Sequence, residues 1–238
     1  MKIALIGYGK MGKTIEKLAI ERNHEIVSII DQDNQHDFDS AAFLDTDVAI
    51  EFTNPETAVA NYLRCFEREI AVVSGTTGWL AELLNIVSLV EQQQKSFLYA
   101  SNFSIGVNIM FWLNKQLAVL MNKLPGYEAK MLEIHHTQKK DAPSGTAITL
   151  AEDIIHKTER LNKWVLDEKK ADYELPIKAI REGGVFGYHQ VQYESNEDTI
   201  LLSHNAKSRD GFALGAIMAA EFLYGKKGFF TMDDVLKL

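Results

Sequence analysis

The chain has 238 residues, of which 46% are hydrophobic and 24% charged, and its formal net charge is −8. That length allows one large domain or two small ones, and an acidic balance with scattered basic residues argues against a nucleic-acid partner. The single cysteine, Cys65, excludes an intrachain disulfide framework and a cysteine-rich metal site. No apolar run approaches the roughly 20 residues of a membrane helix, and the N-terminus reads as strand and loop rather than a cleavable signal, so a cytoplasmic protein without a membrane partner is expected.

Lys2–Ile6 reads as a buried strand. It runs into Gly7-Tyr8-Gly9-Lys10-Met11-Gly12 and then a helix over Met11–Arg22. A G-x-G-x-x-G run between strand and helix is the dinucleotide fingerprint. Gly7 supplies the tight turn, Gly9 lets the backbone approach a pyrophosphate, and Gly12 lets helix and strand pack closely. A second strand, Glu25–Ile30, ends at Asp31. That acid falls about twenty residues beyond the glycines, where a ribose 2′-hydroxyl partner belongs. A lone glycine triplet is weak evidence; strand, triplet, helix, strand and terminal acid together outweigh a plain α/β turn with a surface aspartate. Asp31–Ser40 then reads as a polar, mobile loop.

Val48–Phe52 is a short apolar strand. Asn54 caps the next helix, Pro55–Arg68, with Pro55 at its first position; Cys65 inside this helix has a packing role. Ile70–Val73 is another buried strand, closed by Ser74-Gly75-Thr76-Thr77-Gly78. Leu80–Gln94 reads as helix and Phe97–Tyr99 as strand. Short connections and apolar strands imply a doubly wound parallel sheet, whose ligand crevice lies outside the carboxyl ends of the strands. Three small or polar segments stand at such ends: Phe52-Thr53, Gly75-Thr76-Thr77 and Ala100-Ser101-Asn102-Phe103. Each alone is only a turn, and their shared position is what argues for cofactor contact.

Beyond Asn102 the rhythm changes. Ile105–Lys123 is a long amphipathic helix. Tyr127–Ile134 alternates apolar and polar residues as a strand does, and Ala147–His156 has helical spacing. His135, His136 and Lys139 therefore fall on a strand-to-helix loop, with Lys140 beside them. Ser144-Gly145-Thr146 opens the helix, where free backbone N–H groups bind anions. The bland alternative is a helix capped by Ser144 or Thr146 with incidentally exposed histidines; two imidazoles and a lysine on one turn favour catalysis on a carboxylated substrate. A histidine titrates near neutral pH and can donate a proton, Lys139 can offset negative charge, and Ser144–Thr146 can hold a carboxylate. A metal site is disfavoured, because no spaced histidine or carboxylate cluster accompanies the pair.

Leu161–Leu175 is charged and irregular. Pro176–Arg181, Tyr188–Glu194 and Thr199–His204 read as strands of an open sheet, with Glu182-Gly183-Gly184 as a turn. His189 and His204 on these strands read as structural, and His24, His36 and His156 have no suggestive neighbours. Phe212–Tyr224 is apolar enough for a buried helix that returns to the first domain. The expected architecture is α/β: a doubly wound parallel Rossmann-type sheet from residues 1–104 and 209–238, and a smaller α+β domain with an open mixed sheet from 105–208.

With both motifs in place, the sequence resembles the dihydrodipicolinate reductase family over nearly its whole length. The most specific piece is Glu133-x-His135-His136-x-x-Lys139-x-Asp141-Ala142-Pro143-Ser144-Gly145-Thr146. Supporting pieces are Gly7–Gly12, Gly75-Thr76-Thr77-Gly78, Ala100–Asn108 and His204-x-Ala206-x-Ser208-Arg209. The resemblance implies hydride transfer from NADH or NADPH to a cyclic, dicarboxylated unsaturated imine in lysine and diaminopimelate biosynthesis, by a homotetramer whose central domain binds substrate and assembles. It implies that His135 is the proton donor or acceptor and Lys139 a second proton donor. It implies substrate contacts at His136, Gly145 and Thr146, and cofactor contacts at Gly7–Gly12, Asp31, Gly75–Thr77 and Ala100–Phe103. Two departures stand out: a shorter segment after the second strand than many members have, and no arginine in Asp31-Gln32-Asp33. A carboxylate at Asp31 repels a 2′-phosphate, so NADH is the expected cofactor, with residual NADPH use. Two other readings compete. Another two-domain dehydrogenase, acting on an amino acid or sugar, would not need the His-His-Lys loop. A non-catalytic dinucleotide sensor would tolerate loss of His135 and Lys139.

Overall fold

The computed structural model describes residues 1–238, and the chain divides into two compact units, Met1–Ile105 with Arg209–Leu238, and Gly106–Ser208. The first unit opens with β1 (Lys2–Ile6), α1 (Lys10–Glu21) and β2 (Glu25–Ile30). The segment read as a mobile loop is instead ordered as 3-10 turns over Gln32–Asp39, followed by a short α2 (Ala41–Leu44). Local side-chain capping explains this difference: the Asp31 carboxylate accepts from the Gln32 N–H, and Asn34 Oδ1 accepts from the Asp31 N–H. Phe38 and Phe43 then anchor the segment in the core, ring centroids 4.9 Å apart.

β3 (Val48–Glu51), α3 (Pro55–Glu67), β4 (Ala71–Ser74), α4 (Leu83–Gln92) and β5 (Ser96–Tyr99) follow. Asn54 caps α3 by accepting from the Thr57 N–H at 3.1 Å. Then α5 (Ile105–Met121) leads into the second unit, which holds β6 (Glu128–His135), α6 (Gly145–Lys157), β7 (Lys163–Leu166), β8 (Glu174–Arg181), β9 (Gly187–Glu194) and β10 (Thr199–Ala206). The chain returns to the first unit with α7 (Asp210–Leu223), β11 (Gly228–Phe230) and α8 (Met232–Leu236). Two strands were not legible: β7, inside the stretch read as irregular, and the terminal β11. Both are short, at four and three residues, and gain their order by pairing at sheet edges.

The first sheet is parallel throughout, in the order β11-β5-β4-β3-β1-β2. Its strands are buried on both faces. On one, Ile3, Leu5, Ile50 and Val73 pack with Ile15 and Ala19 of α1 and the alanine-rich face of α7; on the other, Ile6, Ala49 and Val72 pack with Tyr62, Phe66 and Trp79. Small residues on α7 (Ala213, Gly215, Ala216, Ala219, Ala220) let its backbone lie close to the sheet. Between β1 and β3 the strand order reverses direction, which puts a ligand crevice at their carboxyl ends.

The second sheet is mixed, in the order β10-β9-β6-β8-β7, with β6 antiparallel to β9 and parallel to β8. Along β9 burial alternates strictly: Gly187, His189, Val191 and Tyr193 point to the helical layer. There Val191 and Tyr193 pack with Met131, Leu175 and Ile177 of the sheet and Ala147, Leu150, Ala151 and Ile154 of α6. No helix is long and apolar enough to cross a membrane.

Candidate active site

At the switch point of the first sheet, Gly7 adopts φ +91°, and a Cβ there would stand 2.1 Å from the Phe52 carbonyl oxygen. Glycine is thus required by conformation and by the close approach of β3. Gly12 sits as tightly, its absent Cβ 2.4 Å from the Gly7 carbonyl, whereas nothing lies within 4 Å of the Cβ position at Gly9. The fingerprint roles therefore separate: two glycines permit packing, and the middle one faces open space. That space is a cavity of about 480 Å³ lined by Gly7, Tyr8 and Gly9, by Asp31, Gln32 and Gln35, and by Phe52–Asn54, Thr57 and Asn61. The polar residues of α3 and the 3-10 segment were missed in the sequence, since nothing in their spacing links them to a crevice.

The other expected cofactor residues divide. Lys10, Thr77 and Ser101 are exposed, and Met11 and Asn102 half-buried. Ala100 and Phe103 are core residues, with Phe103 ringed against Phe52 at 5.7 Å and α7 behind it, so the Phe103 side chain packs rather than projects. Thr76 is also committed: its hydroxyl donates to Glu51 at 3.0 Å and accepts from the Thr53 N–H at 2.8 Å. Glu51, at the end of β3, is fully buried beneath these strand ends and also accepts from the hydroxyls of Thr53 and Ser74. Burial pushes its carboxyl above the ordinary range, and the hydroxyl donors only partly offset this.

In the second sheet, register assembles a separate cluster. Glu133 and His135 are two residues apart on β6 and share a face. Glu133 lies opposite His189 of β9, and His135 opposite Arg181 of β8. Glu133 Oε1 accepts from Arg181 Nη2 at 2.9 Å, and Glu133 Oε2 stands 2.8 Å from His135 Nδ1. The His135 and His189 rings meet edge to face at 5.0 Å. Burial alone pushes the Glu133 carboxyl up, but His135, Ser144 and Arg181 outweigh it and hold it at about 2. His189 is pushed down to about 3 by burial and by the neighbouring His135, so it is neutral across the physiological range.

Beyond β6, Lys139 reaches Asp141 at 2.8 Å, which holds that carboxyl below its ordinary range. Lys140 is exposed, and the half-buried His136 keeps an unpartnered Nδ1. Ser144 caps α6, accepting from the Ala147 N–H at 3.2 Å, and its hydroxyl lies 3.0 Å from His189 Nε2. That hydroxyl is buried and engaged by both partners. Gly145, the first residue of α6, remains exposed and Thr146 half-buried. His189, expected to be structural, is buried and packs directly on His135. Glu133, His135 and His189 place donor atoms within 4.8 Å of one another, a cluster the sequence reading did not assemble, and Arg181 supplies its positive charge.

The two family descriptions that match are dihydrodipicolinate reductase N-terminus, over residues 1–103, and dihydrodipicolinate reductase C-terminus, over residues 106–236. The chain belongs to the dihydrodipicolinate reductase family. It is an NAD(P)H-dependent oxidoreductase of that family. Among reductase-family relatives, the 4-hydroxy-tetrahydrodipicolinate reductase of Christiangramia forsetii is 50% identical over 237 residues, covering 99% of this chain and 98% of the relative. The enzyme of the same name from Staphylococcus carnosus is 36% identical, over 99% of both chains. The fold matches a dipicolinate-bound dihydrodipicolinate reductase from Paenisporosarcina sp. TG-14 with a TM-score of 0.79, at 23% identity and 97% coverage of both chains. A scyllo-inositol dehydrogenase from Lactobacillus casei shares the architecture more loosely, with a TM-score of 0.59, 11% identity, and coverage of 100% of this chain and 93% of that one.

Proposed function

We propose that this reductase acts on a cyclic dicarboxylate of the 4-hydroxy-tetrahydrodipicolinate type, prefers NADH to NADPH, uses His135 and Lys139 as proton donors, and works as a cytoplasmic homotetramer. The carrying observation is the clustering of His135, Lys139 and the exposed start of α6 on one strand-to-helix loop. The start of α6 at Gly145 and Thr146, with His136 and Lys139, suits a substrate carboxylate. His135 suits proton delivery, being adjacent to that anion cradle yet anchored in a strand.

The dinucleotide fits the cavity at the switch point. Open space over Gly9 admits a pyrophosphate, and the exposed Asp31 carboxylate suits a ribose hydroxyl. The bound nicotinamide supplies the hydride. Asp31 disfavours a 2′-phosphate, while Lys13, stacked 5.5 Å from the Tyr8 ring, keeps a cation beside the glycine loop; residual NADPH use follows. Assembly is supported by exposed apolar side chains on α5 (Ile109, Trp112, Leu113, Leu120) and on the edge strand β10 (Ile200, Leu201).

The test is NADH and NADPH oxidation with substrate generated in place from pyruvate and aspartate semialdehyde by the preceding synthase. Turnover with NADH exceeding that with NADPH is expected, with dipicolinate competing against substrate. Absence of turnover with either cofactor, or no dipicolinate binding by titration calorimetry with NADH present, would overturn the reading.

A further inference from the structure

Three neighbours confine the His135 ring. Glu133 Oε2 lies 2.8 Å from Nδ1, in ion-pair contact, with the ring turned off the line of a full hydrogen bond. A Cβ at Gly187 would come within 3.2 Å of Nε2 and press on the ring, so glycine gives the ring its room. His189 closes the edge, its own Nε2 3.0 Å from the Ser144 hydroxyl. Glu133 is fixed in turn: Arg181 donates to its second oxygen, and the same guanidinium donates to the carbonyls of Ile180 and Asp141. Arg181 thereby ties the carboxylate to the loop that carries Lys139.

We propose that Glu133 is a positioning residue that keeps the proton on His135 Nδ1 and so presents Nε2 as the nitrogen that exchanges protons with substrate. The hydrogen-bond partner of one imidazole nitrogen sets the tautomer, and with it the role of the other. A carboxylate that accepts from Nδ1–H also stabilises the imidazolium before transfer. In the transfer the Nε2–H bond breaks, its electron pair stays on the ring, and the proton forms a bond with the electron-rich atom of the reduced substrate. Glu133 keeps its charge throughout. The groups that face His135 are Glu133 on its own strand, Arg181 of β8, neutral His189 of β9, and Lys139 and Asp141 on the following loop. Among these, only Glu133 touches a ring nitrogen with negative charge.

The inference rests on His135 being the proton donor, and the experiment separates the two ideas. His135→Gln, Glu133→Gln and Glu133→Asp are compared by kcat, KM and pH profile. Glu133→Gln is expected to lower kcat by about ten- to a hundredfold with little change in KM, and to move the alkaline fall in activity to lower pH. Glu133→Asp, which keeps the charge, is expected to recover part of both effects; a purely structural role would favour the isosteric glutamine. If His135→Gln keeps wild-type turnover, the proton-donor reading itself fails. If His135→Gln is inactive while Glu133→Gln keeps the wild-type kcat and pH profile, the positioning role alone is overturned. Should Glu133→Gln not fold, nitrogen-15 spectra of the wild-type histidines decide: neutral His135 protonated on Nδ1 supports the proposal, and protonation on Nε2 overturns it.

Discussion

Each sheet carries one fully buried glutamate near the carboxyl end of a strand, and the two have opposite surroundings. Glu51 meets neutral donors, among them the hydroxyls of Thr53, Ser74 and Thr76 and the Thr53 backbone. Glu133 meets a guanidinium and an imidazole. Burial penalises both charges, and only a countercharge reverses that penalty: the carboxyl of Glu51 is raised and that of Glu133 is held at about 2. Neutral donors are therefore not equivalent to a countercharge in a dry site. The Glu51 arrangement organises strand ends, since the same hydroxyls fix the Thr53 and Thr76 backbone. The Glu133 arrangement holds a charge beside the His135 ring.

The largest expected effect is on stability. Glu133→Ala leaves Arg181 without its buried partner and is expected to cost about 3–5 kcal/mol in urea unfolding. Glu51→Ala orphans hydroxyls, which can rotate toward other acceptors, and is expected to cost about 1–3 kcal/mol. Equal losses would erase the contrast.

Next in size is the pH dependence, which differs in sign. The depressed Glu133 carboxyl contributes stability that is complete above its unfolded value of 4.5 and is lost as pH falls from there toward about 2. Neutral His189 adds to the acid loss, contributing above its unfolded value of 6.5 and failing as pH falls toward about 3. The raised Glu51 carboxyl works the other way: its contribution is complete below 4.5 and is lost as pH rises through its folded value. Melting curves across pH should show Glu133→Gln flattening the loss of stability on the acid side and Glu51→Gln flattening the loss of stability as pH rises above 4.5. A common response in both variants would contradict the assignment.

The smallest effect concerns the exposed acid of the first unit. Asp31 lies in water, where a like-charge contact at about 4 Å costs only about 1 kcal/mol. Asp31→Ser is expected to shift the kcat/KM ratio toward NADPH by roughly fivefold, and less at higher salt. A shift of several orders of magnitude would place Asp31 in a dry contact, more like Glu133 than the surface residue described above.

Much of this was legible in the chain because the signals were local. The glycine run, Asn54 before Pro55, and Ser144 before α6 each announce an element boundary through nearby backbone chemistry. Alternation along β6 even shows that Glu133 and His135 share a face. What local signals lacked was register: nothing in Tyr188–Glu194 says that His189 pairs with Glu133, or that Arg181 lies opposite His135. The placement of His189 against His135 is hidden in the sequence for that reason. The 3-10 turns after Asp31 were missed because a polar composition was taken for mobility, although Asp31 and Asn34 cap one another. The inward packing of Ser144 and Phe103 is likewise hidden, since position in sequence does not show which way a side chain turns.

The first sheet is built from both ends of the chain, and this bears on its synthesis. Ribosomal translation delivers β1 to β5 well before α7 and β11. Until Asp210–Leu223 emerges, Ile50, Val73 and Leu98 have no helix to cover them on one face, and β5 has an open edge where Phe229 will pair with Phe97. A half-made sheet with an uncovered apolar face and a free edge is a target for association with other nascent chains. The intervening hundred residues form a separate unit with its own core, so they can fold during that wait. The last thirty residues then act as a closing piece, and truncations within α7 should yield insoluble protein even though every residue of the glycine fingerprint and the His-His-Lys loop is retained.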